Sequence, residues 1–184
     1  MAHVIHSINI TVSGSCHHGD AVADEEHHRY ARDLLTSASA VLLGRNTFDL
    51  FVSFWPEAVN RRDLPSYMTS FAAELATKPK YVVSSRSLKT EWKNTKWLHG
   101  PELVEVSHFI GSTPGTVVVF GSPGLGTSLN AAGLVHEIHV ITRPFIGATS
   151  MRAFEGLIVR RNLALLEARA FRSGAVLLRY ASEA

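Results

Sequence analysis

Short apolar runs alternate with amphipathic stretches along the chain, and polar turns rich in glycine, serine or proline separate them. His3 to Val12 has the β-branched content and partial alternation of a strand. At Asp24, an N-cap followed by Glu25 and Glu26, a helix is predicted to begin and run to about Ser37. Its apolar face would use Tyr30, Leu34, Leu35 and Ala38. Ala40 to Leu43 is the continuous apolar run of a strand buried on both faces, and Val117 to Phe120 reads as another buried strand. Further short strands are predicted at Lys80 to Val83 and near Lys96 to Leu98. Asn46 or Thr47 can cap a helix through about Val52, after which Phe54-Trp55-Pro56 breaks the pattern. Pro65 suits the first turn of a helix to about Ala76, and further helices are predicted from Pro101 to about Ile110 and over Thr127 to Ala132. Val135 to Thr142 is a strand bounded by Gly133 and Pro144. Leu163 to Phe171 and Val176 to Tyr180 alternate as a hairpin turning at Arg172-Ser173-Gly174.

Strand and helix alternate through most of the chain before strands take over at its end. That order predicts an α/β fold in three layers, α/β/α, with a mixed, mainly parallel central sheet and an antiparallel C-terminal hairpin. No internal repeat or domain-scale linker interrupts it, so residues 1–184 are expected to form a single domain.

Composition narrows the function classes. A hydrophobic share of 46% with 18% charged residues fits a globular chain able to bury a full core. No apolar run approaches the roughly 20 residues of a membrane span, and the first residues lack the regions of a signal peptide. Cys16 is the only cysteine, which excludes an internal disulfide and points to a reducing, cytoplasmic setting. A net charge of +2, with Lys and Arg scattered, argues against a nucleic-acid partner. The ten histidines raise a metal reading. However, His17-His18 and His27-His28 are adjacent pairs, and His136 and His139 are three apart on a strand; such side chains diverge, so no metal site is expected.

In a sheet of this kind, ligands gather beyond the carboxyl ends of the parallel strands. Three of those ends carry anion-friendly groups: Gly44-Arg45-Asn46-Thr47, Ser84-Ser85-Arg86 and Gly121-Ser122-Pro123-Gly124. Glycine lets backbone approach a ligand closely, a helix start offers unpaired N–H groups, and a guanidinium grips phosphate bidentately. The glycines at 121, 124 and 126 do not have Gly-x-Gly-x-x-Gly spacing, and any one of these turns could be a tight turn without a ligand. Their joint occurrence suits a dinucleotide carrying an additional phosphate.

These segments resemble a known family. Val41 to Phe48 is similar to the strand–Gly-Arg-x-Thr–helix segment of dihydrofolate reductases, and Val82 to Arg86 to their strand leading to the adenosine 2′-phosphate site. Val119 to Pro123 falls where they carry a Gly-Gly turn for the pyrophosphate. The chain resembles more closely the bacterial dihydrofolate-reductase-like proteins related to the reductase domain of riboflavin biosynthesis. Ser7-Ile8-Asn9, Asp24-Glu25-Glu26, Gly44 to Thr47, Trp55-Pro56 and Phe171 to Tyr180 follow that group's motif order.

The resemblance implies NADPH as cofactor and hydride transfer to a small pterin-, pyrimidine- or enone-like substrate. It implies that Gly44, Arg45 and Thr47 serve the phosphates and that Ser84, Ser85 and Arg86 select NADPH over NADH. Gly121, Ser122 and Gly124 would admit the pyrophosphate, and a homodimer is implied as well. Hydride transfer to a C=N bond also needs a proton, which makes Glu26, His28 and Ser13 the catalytic candidates. The plain alternative is a solvated Glu and a surface His. Asn9, Phe48 and Trp55 are the substrate-binding candidates, although Phe48, Phe54 and Trp55 fit a core role equally well. Two features depart from the group: Ser13-Gly14 stands where relatives usually have Asp-Gly, and Pro144 to Ser150 has fewer glycines than their corresponding turn. A nucleotide-binding module without turnover, or a small-ligand-sequestering protein, are therefore the alternatives.

Overall fold

In a computed structural model, which describes residues 1–20, 24–100 and 103–183, the apolar runs form strands close to their predicted limits. These are β1 (His3–Thr11), β2 (Ala38–Gly44), β3 (Lys80–Ser84), β4 (Thr95–His99), β5 (Thr116–Phe120), β6 (Glu137–Arg143), β7 (Leu163–Ala170) and β8 (Val176–Ser182). The helices are α1 (Glu25–Ser37), α2 (Arg45–Val52), α3 (Trp55–Ala58), α4 (Ser66–Thr77), α5 (Val104–Ser112) and α6 (Pro123–Ala131). One sheet takes the strands in the order β4-β3-β2-β5-β1-β6-β8-β7. β1–β6, β2–β3 and β3–β4 pair in parallel, whereas β6–β8 and β7–β8 are antiparallel. The fold is thus α/β with a mixed sheet and an antiparallel C-terminal hairpin. Among the described residues, no helix is long and apolar enough to cross a membrane. The chain divides into two compact units, Met1–Ala2 with Ala23–Val118 and His3–Val22 with Val119–Ala184.

In the first unit, Asp24 caps α1 as predicted: its Oδ1 accepts from the His27 N–H at 2.8 Å. Asp24→Ala is expected to lower stability by about 1 kcal/mol in chemical denaturation, the usual worth of such a cap. The helix buries His28, Ala31, Leu34 and Leu35, so its inward face is rotated from the predicted one and Tyr30 is only half-buried. Three helix starts differ from expectation. α2 begins at Arg45 with Gly44 as N-cap, which places Thr47 inside the helix. Trp55-Pro56 opens the single turn of α3 instead of breaking structure, because proline in a first turn forfeits no helical hydrogen bond. Pro65 is the residue before α4. The predicted helix start at Pro101 lies outside the described residues, and α5 covers Val104–Ser112.

Lys80, the first residue of β3, is fully buried. Its Nζ donates to the carbonyls of Leu75 (3.1 Å) and Lys78 (2.9 Å) and lies 4.8 Å from the Trp92 ring centroid. A cation there complements the C-terminal end of α4, while burial lowers its pKa to about 8.

In the second unit, β1, β6, β8 and β7 are neighbours in that order. Ile138, Ile141 and Leu177 are buried, and Leu129 of α6 is fully covered. The β6–β8 register sets His139 opposite Arg179, and a charged network forms around Glu137. Oε2 accepts from His139 Nε2 (2.9 Å) and Arg179 Nη2 (3.1 Å), and Oε1 accepts from His3 Nε2 (2.9 Å). Arg179 Nη1 reaches Glu167 at 3.1 Å. Burial opposes the Glu137 carboxylate, but the hydrogen bonds from His139, His3 and Arg179 outweigh it and hold its pKa at about 2.

Candidate functional site

In the first unit, two of the three predicted corners lie side by side. Gly44 is opposite Val83 in the parallel β2–β3 register, so Gly44–Thr47 and Ser84–Arg86 leave adjacent strands at the same edge. α2 starts with no side-chain cap hydrogen bond. Arg45 turns its Nε to Asp49, at 2.9 and 3.0 Å from the two carboxylate oxygens, an exposed i,i+4 pair. The Ser84 hydroxyl accepts from the Arg86 N–H at 3.1 Å and its carbonyl accepts from Trp97 Nε1–H at 2.9 Å. That turn presents Ser85 and Arg86 to solvent.

The third corner belongs to the second unit and is built differently from its prediction. The glycine stretch is the first turn of α6 itself, which starts at Pro123 and not at Thr127. Gly121 (φ +52°) and Ser122 (φ +50°) are both left-handed, a conformation that favours glycine at the first and is unusual for serine at the second. The Ser122 hydroxyl donates back to the Phe120 carbonyl at 2.9 Å, so no side chain caps α6 either. Beneath the turn lies His6, fully buried, whose Nε2 donates to the Gly121 carbonyl at 2.8 Å. The Asn130 amide is 3.5 Å from its Nδ1. Burial outweighs the bond to Gly121 and lowers the His6 pKa to about 4.

The glycines of this turn have separate reasons. A Cβ on Gly126 would lie 2.1 Å from His6 Cε1, whereas one on Gly124 would meet nothing within 4 Å. Gly126 is therefore a glycine for the sake of internal packing, and Gly124 leaves the helix start open. Sequence reasoning missed His6 entirely, because a buried histidine under a distant turn leaves no local spacing to read.

Ser13, a catalytic candidate, is held by backbone. Its hydroxyl donates to the Gly147 carbonyl at 3.1 Å and accepts from the Gly147 N–H at 3.0 Å, with Thr11 Oγ1 2.9 Å away. Beside it, Ser15 Oγ donates to Asp20 Oδ2 at 2.7 Å and lies 2.5 Å from Thr149 Oγ1. The loop after β1 is thereby stitched to the Pro144–Ser150 segment, and Asp20 supplies a carboxylate there that the sequence did not single out. Asn9 Oδ1 accepts from Arg143 Nη2 at 3.2 Å, and Arg143 is almost completely buried. Burial pushes the Cys16 thiol up, away from the reactive thiolate.

The other catalytic candidates, Glu26 and His28, sit in the first two turns of α1 in the first unit. Glu26 is half-buried, and His28 is buried, not a surface residue. His28 Nδ1 donates to the Asp24 carbonyl at 2.8 Å, and its ring lies 5.2 Å from Tyr67, 6.0 Å from Trp55 and 6.1 Å from Phe71. Trp55 packs edge-on against Phe71 at 4.7 Å and remains half-exposed. Phe48 is a core residue facing Trp92 at 6.0 Å. Of the predicted aromatic wall, Trp55 and Phe54 keep exposed surface. Among the described residues no group of three or more His, Cys, Asp or Glu is disposed to hold a metal ion.

Comparison with known proteins places this architecture. The chain is 26% identical over 149 residues to the uncharacterized protein YyaP of Bacillus subtilis (strain 168), covering 80% of this chain and 76% of YyaP. Its fold is similar to that of a pyrimidine reductase-like protein from Corynebacterium diphtheriae, with a TM-score of 0.70 and 13% identity over 99% of this chain and 92% of that one. It is also similar to dihydrofolate reductase from Enterococcus faecalis in complex with NADP(H), with a TM-score of 0.66 and 11% identity over 99% and 97% of the two chains. The RibD C-terminal domain family model matches residues 2–177, nearly the full length, and the chain belongs to that family.

Proposed function

We propose that this protein is an NADPH-dependent reductase that passes a hydride to a small pterin-, pyrimidine- or enone-like substrate. The observation that carries the reading lies in the first unit, where the strand-to-helix junction at Gly44 and the Ser84–Arg86 turn leave neighbouring strands at the same edge. The Gly44 junction starts α2 with no side-chain cap; within the second unit, α6 likewise starts with no side-chain cap, and the position of Gly124 is open. Helix starts favour anions through the dipole of their aligned peptide groups. The donor set fits the cofactor. Gly44, Arg45 and Thr47 would serve phosphate, Gly121, Ser122 and Gly124 the pyrophosphate, and Ser85 and Arg86, both exposed next to Ser84, an additional phosphate. When bound, the cofactor supplies the hydride; the chain supplies orientation, exclusion of water and a proton. For the proton, Glu26 and His28 on α1 are the candidates, with the His28 ring oriented by its Nδ1–H bond to the Asp24 carbonyl. Family membership and the likeness in fold to reductases support the same conclusion.

A second reading, a nucleotide-binding module without turnover, is favoured by Ser13, whose hydroxyl is committed to the Gly147 backbone in place of an acid. Titrating NADPH and NADH against intrinsic fluorescence tests the shared premise, and no saturable response to either would overturn both readings. Oxidation of bound NADPH by a pterin or pyrimidine substrate separates the first from the second. In the same titration, Arg86→Ala is expected to weaken NADPH by about tenfold or more, the worth of a charged hydrogen bond to phosphate, and leave NADH nearly unchanged. Equal losses for both cofactors would remove Arg86 from the phosphate.

A further inference from the structure

In the first unit, β4 ends the sheet with β3 as its neighbour. It carries Trp97, 39% exposed and the one aromatic residue among the openly exposed large apolar side chains of the described residues. A ring of that size is ordinarily well covered in a folded protein. The β3–β4 register puts Trp97 opposite Val82 and His99 opposite Ser84, so all four side chains share one face of the sheet. The indole Nε1–H donates to the Ser84 carbonyl at 2.9 Å. The His99 ring stands nearly perpendicular to the indole, with centroids 5.7 Å apart. These contacts use the N–H edge and fix the plane of the ring while much of its surface stays open to solvent. A ring held in this way can stack on a flat π system without giving up rotamer freedom on binding.

The turn beside it selects the occupant. Ser84 opens the Ser84–Arg86 turn, where its hydroxyl accepts from the Arg86 N–H at 3.1 Å and where Ser85 and Arg86 are exposed. In an adenosine 2′-phosphate, adjacent ribose carbons bear the phosphate and the base. A phosphate held by Ser85 and Arg86 therefore keeps its purine close to the turn, and the indole bonded to Ser84 is a flat apolar surface in reach.

Resting on the NADPH reading, we propose that Trp97 is the platform on which the adenine base of the cofactor stacks, while Arg86 holds the 2′-phosphate of the same nucleotide. The chain then grips the adenosine half through one aromatic face and one guanidinium.

Calorimetric titration with adenosine 2′,5′-bisphosphate, which carries the base and the 2′-phosphate without the nicotinamide, provides the test. The wild-type chain is expected to bind it saturably. Trp97→Leu should weaken both this ligand and NADPH by about tenfold, within what stacking of one base contributes. Trp97→Phe keeps a flat ring but cannot donate to Ser84, and its affinity should stay within about threefold of wild type. Because Trp97 lies exposed on an end strand, neither substitution opens the core. Indole emission gives a second readout. The bisphosphate should quench the wild-type protein, and the quenching should largely vanish in Trp97→Phe, where Trp55 and Trp92 remain. A loss in Trp97→Phe as large as in Trp97→Leu would make the indole a support for the turn and overturn the platform. NADPH bound equally tightly by wild type and both variants would also overturn it, and would leave the cofactor reading intact. If the wild-type chain binds neither ligand, the cofactor reading fails and the platform with it.

Discussion

Gly126→Ala is expected to destabilise the second unit by about 3 kcal/mol or more, at the upper end of overpacking costs. The added methyl carbon would lie 2.1 Å from Cε1, 2.4 Å from Nε2 and 2.8 Å from Nδ1 of His6, so it meets the whole ring and not the tip of a flexible side chain. The ring cannot retreat, because it is fully buried, bonded to the Gly121 carbonyl at 2.8 Å and set edge-on to Phe154 at 5.7 Å. The helix cannot move outward without breaking that bond and disturbing two successive left-handed residues. His6→Ala alone should also destabilise, through a cavity and a lost hydrogen bond. In the double variant the methyl occupies space the ring has left, so the combined loss should fall short of the sum by about 2 kcal/mol. Urea denaturation of the four proteins measures this directly. Additive losses, or a Gly126→Ala protein as stable as wild type, would contradict the packing.

Acidification should lower the stability of the protein in two stages. His6 is held neutral, with its pKa lowered from 6.5 to about 4. As pH falls through that window the unfolded chain takes up the proton first, so stability rises with pH there and is lost on descent from about 6.5 to about 4. Glu137 is held ionised, with its pKa lowered from 4.5 to about 2. Its contribution is fully present above its ordinary value and is lost as pH falls from 4.5 to about 2. Each window is worth roughly 3 kcal/mol, since one pKa unit corresponds to about 1.4 kcal/mol. His6→Gln should shrink the upper stage, to which His136 and His139, also lowered by burial, contribute the rest, and Glu137→Gln should shrink the lower one. Stability curves from denaturant melts at stepped pH would show it, and an unchanged upper stage in His6→Gln would remove His6 as its source.

The strands were legible because their apolar runs are continuous and bounded by turn residues; Ala40–Leu43 and Val117–Phe120 needed nothing else. α1 was legible because Asp24 announces it locally. Helix starts rich in proline and glycine were misread for one physical reason: at Trp55-Pro56 and Pro123-Gly124 these residues occupy first-turn positions, where a missing N–H or Cβ costs little. Read as punctuation, they hid the beginnings of α3 and α6. The three anion-friendly corners were visible as strand ends, and the structure keeps Gly44 and Ser84 on neighbouring strands. His6 under Gly126, Ser13 on Gly147 and Ser15 between Asp20 and Thr149 were not visible. Each joins segments far apart in the chain, and only the parallel crossovers bring them together.

One amine also sets a length. Lys80 begins β3 while its Nζ holds the carbonyls of Leu75, in the last turn of α4, and of Lys78, just beyond it. The end of a helix and the start of a strand are therefore fastened by the same side chain across a connection of two residues, Lys78 and Pro79. Substitution within that connection leaves the fastening in place, but insertion does not. An added residue would carry the amine away from the helix and strip it from the Trp92 ring, so this joint can vary in sequence while its length stays fixed.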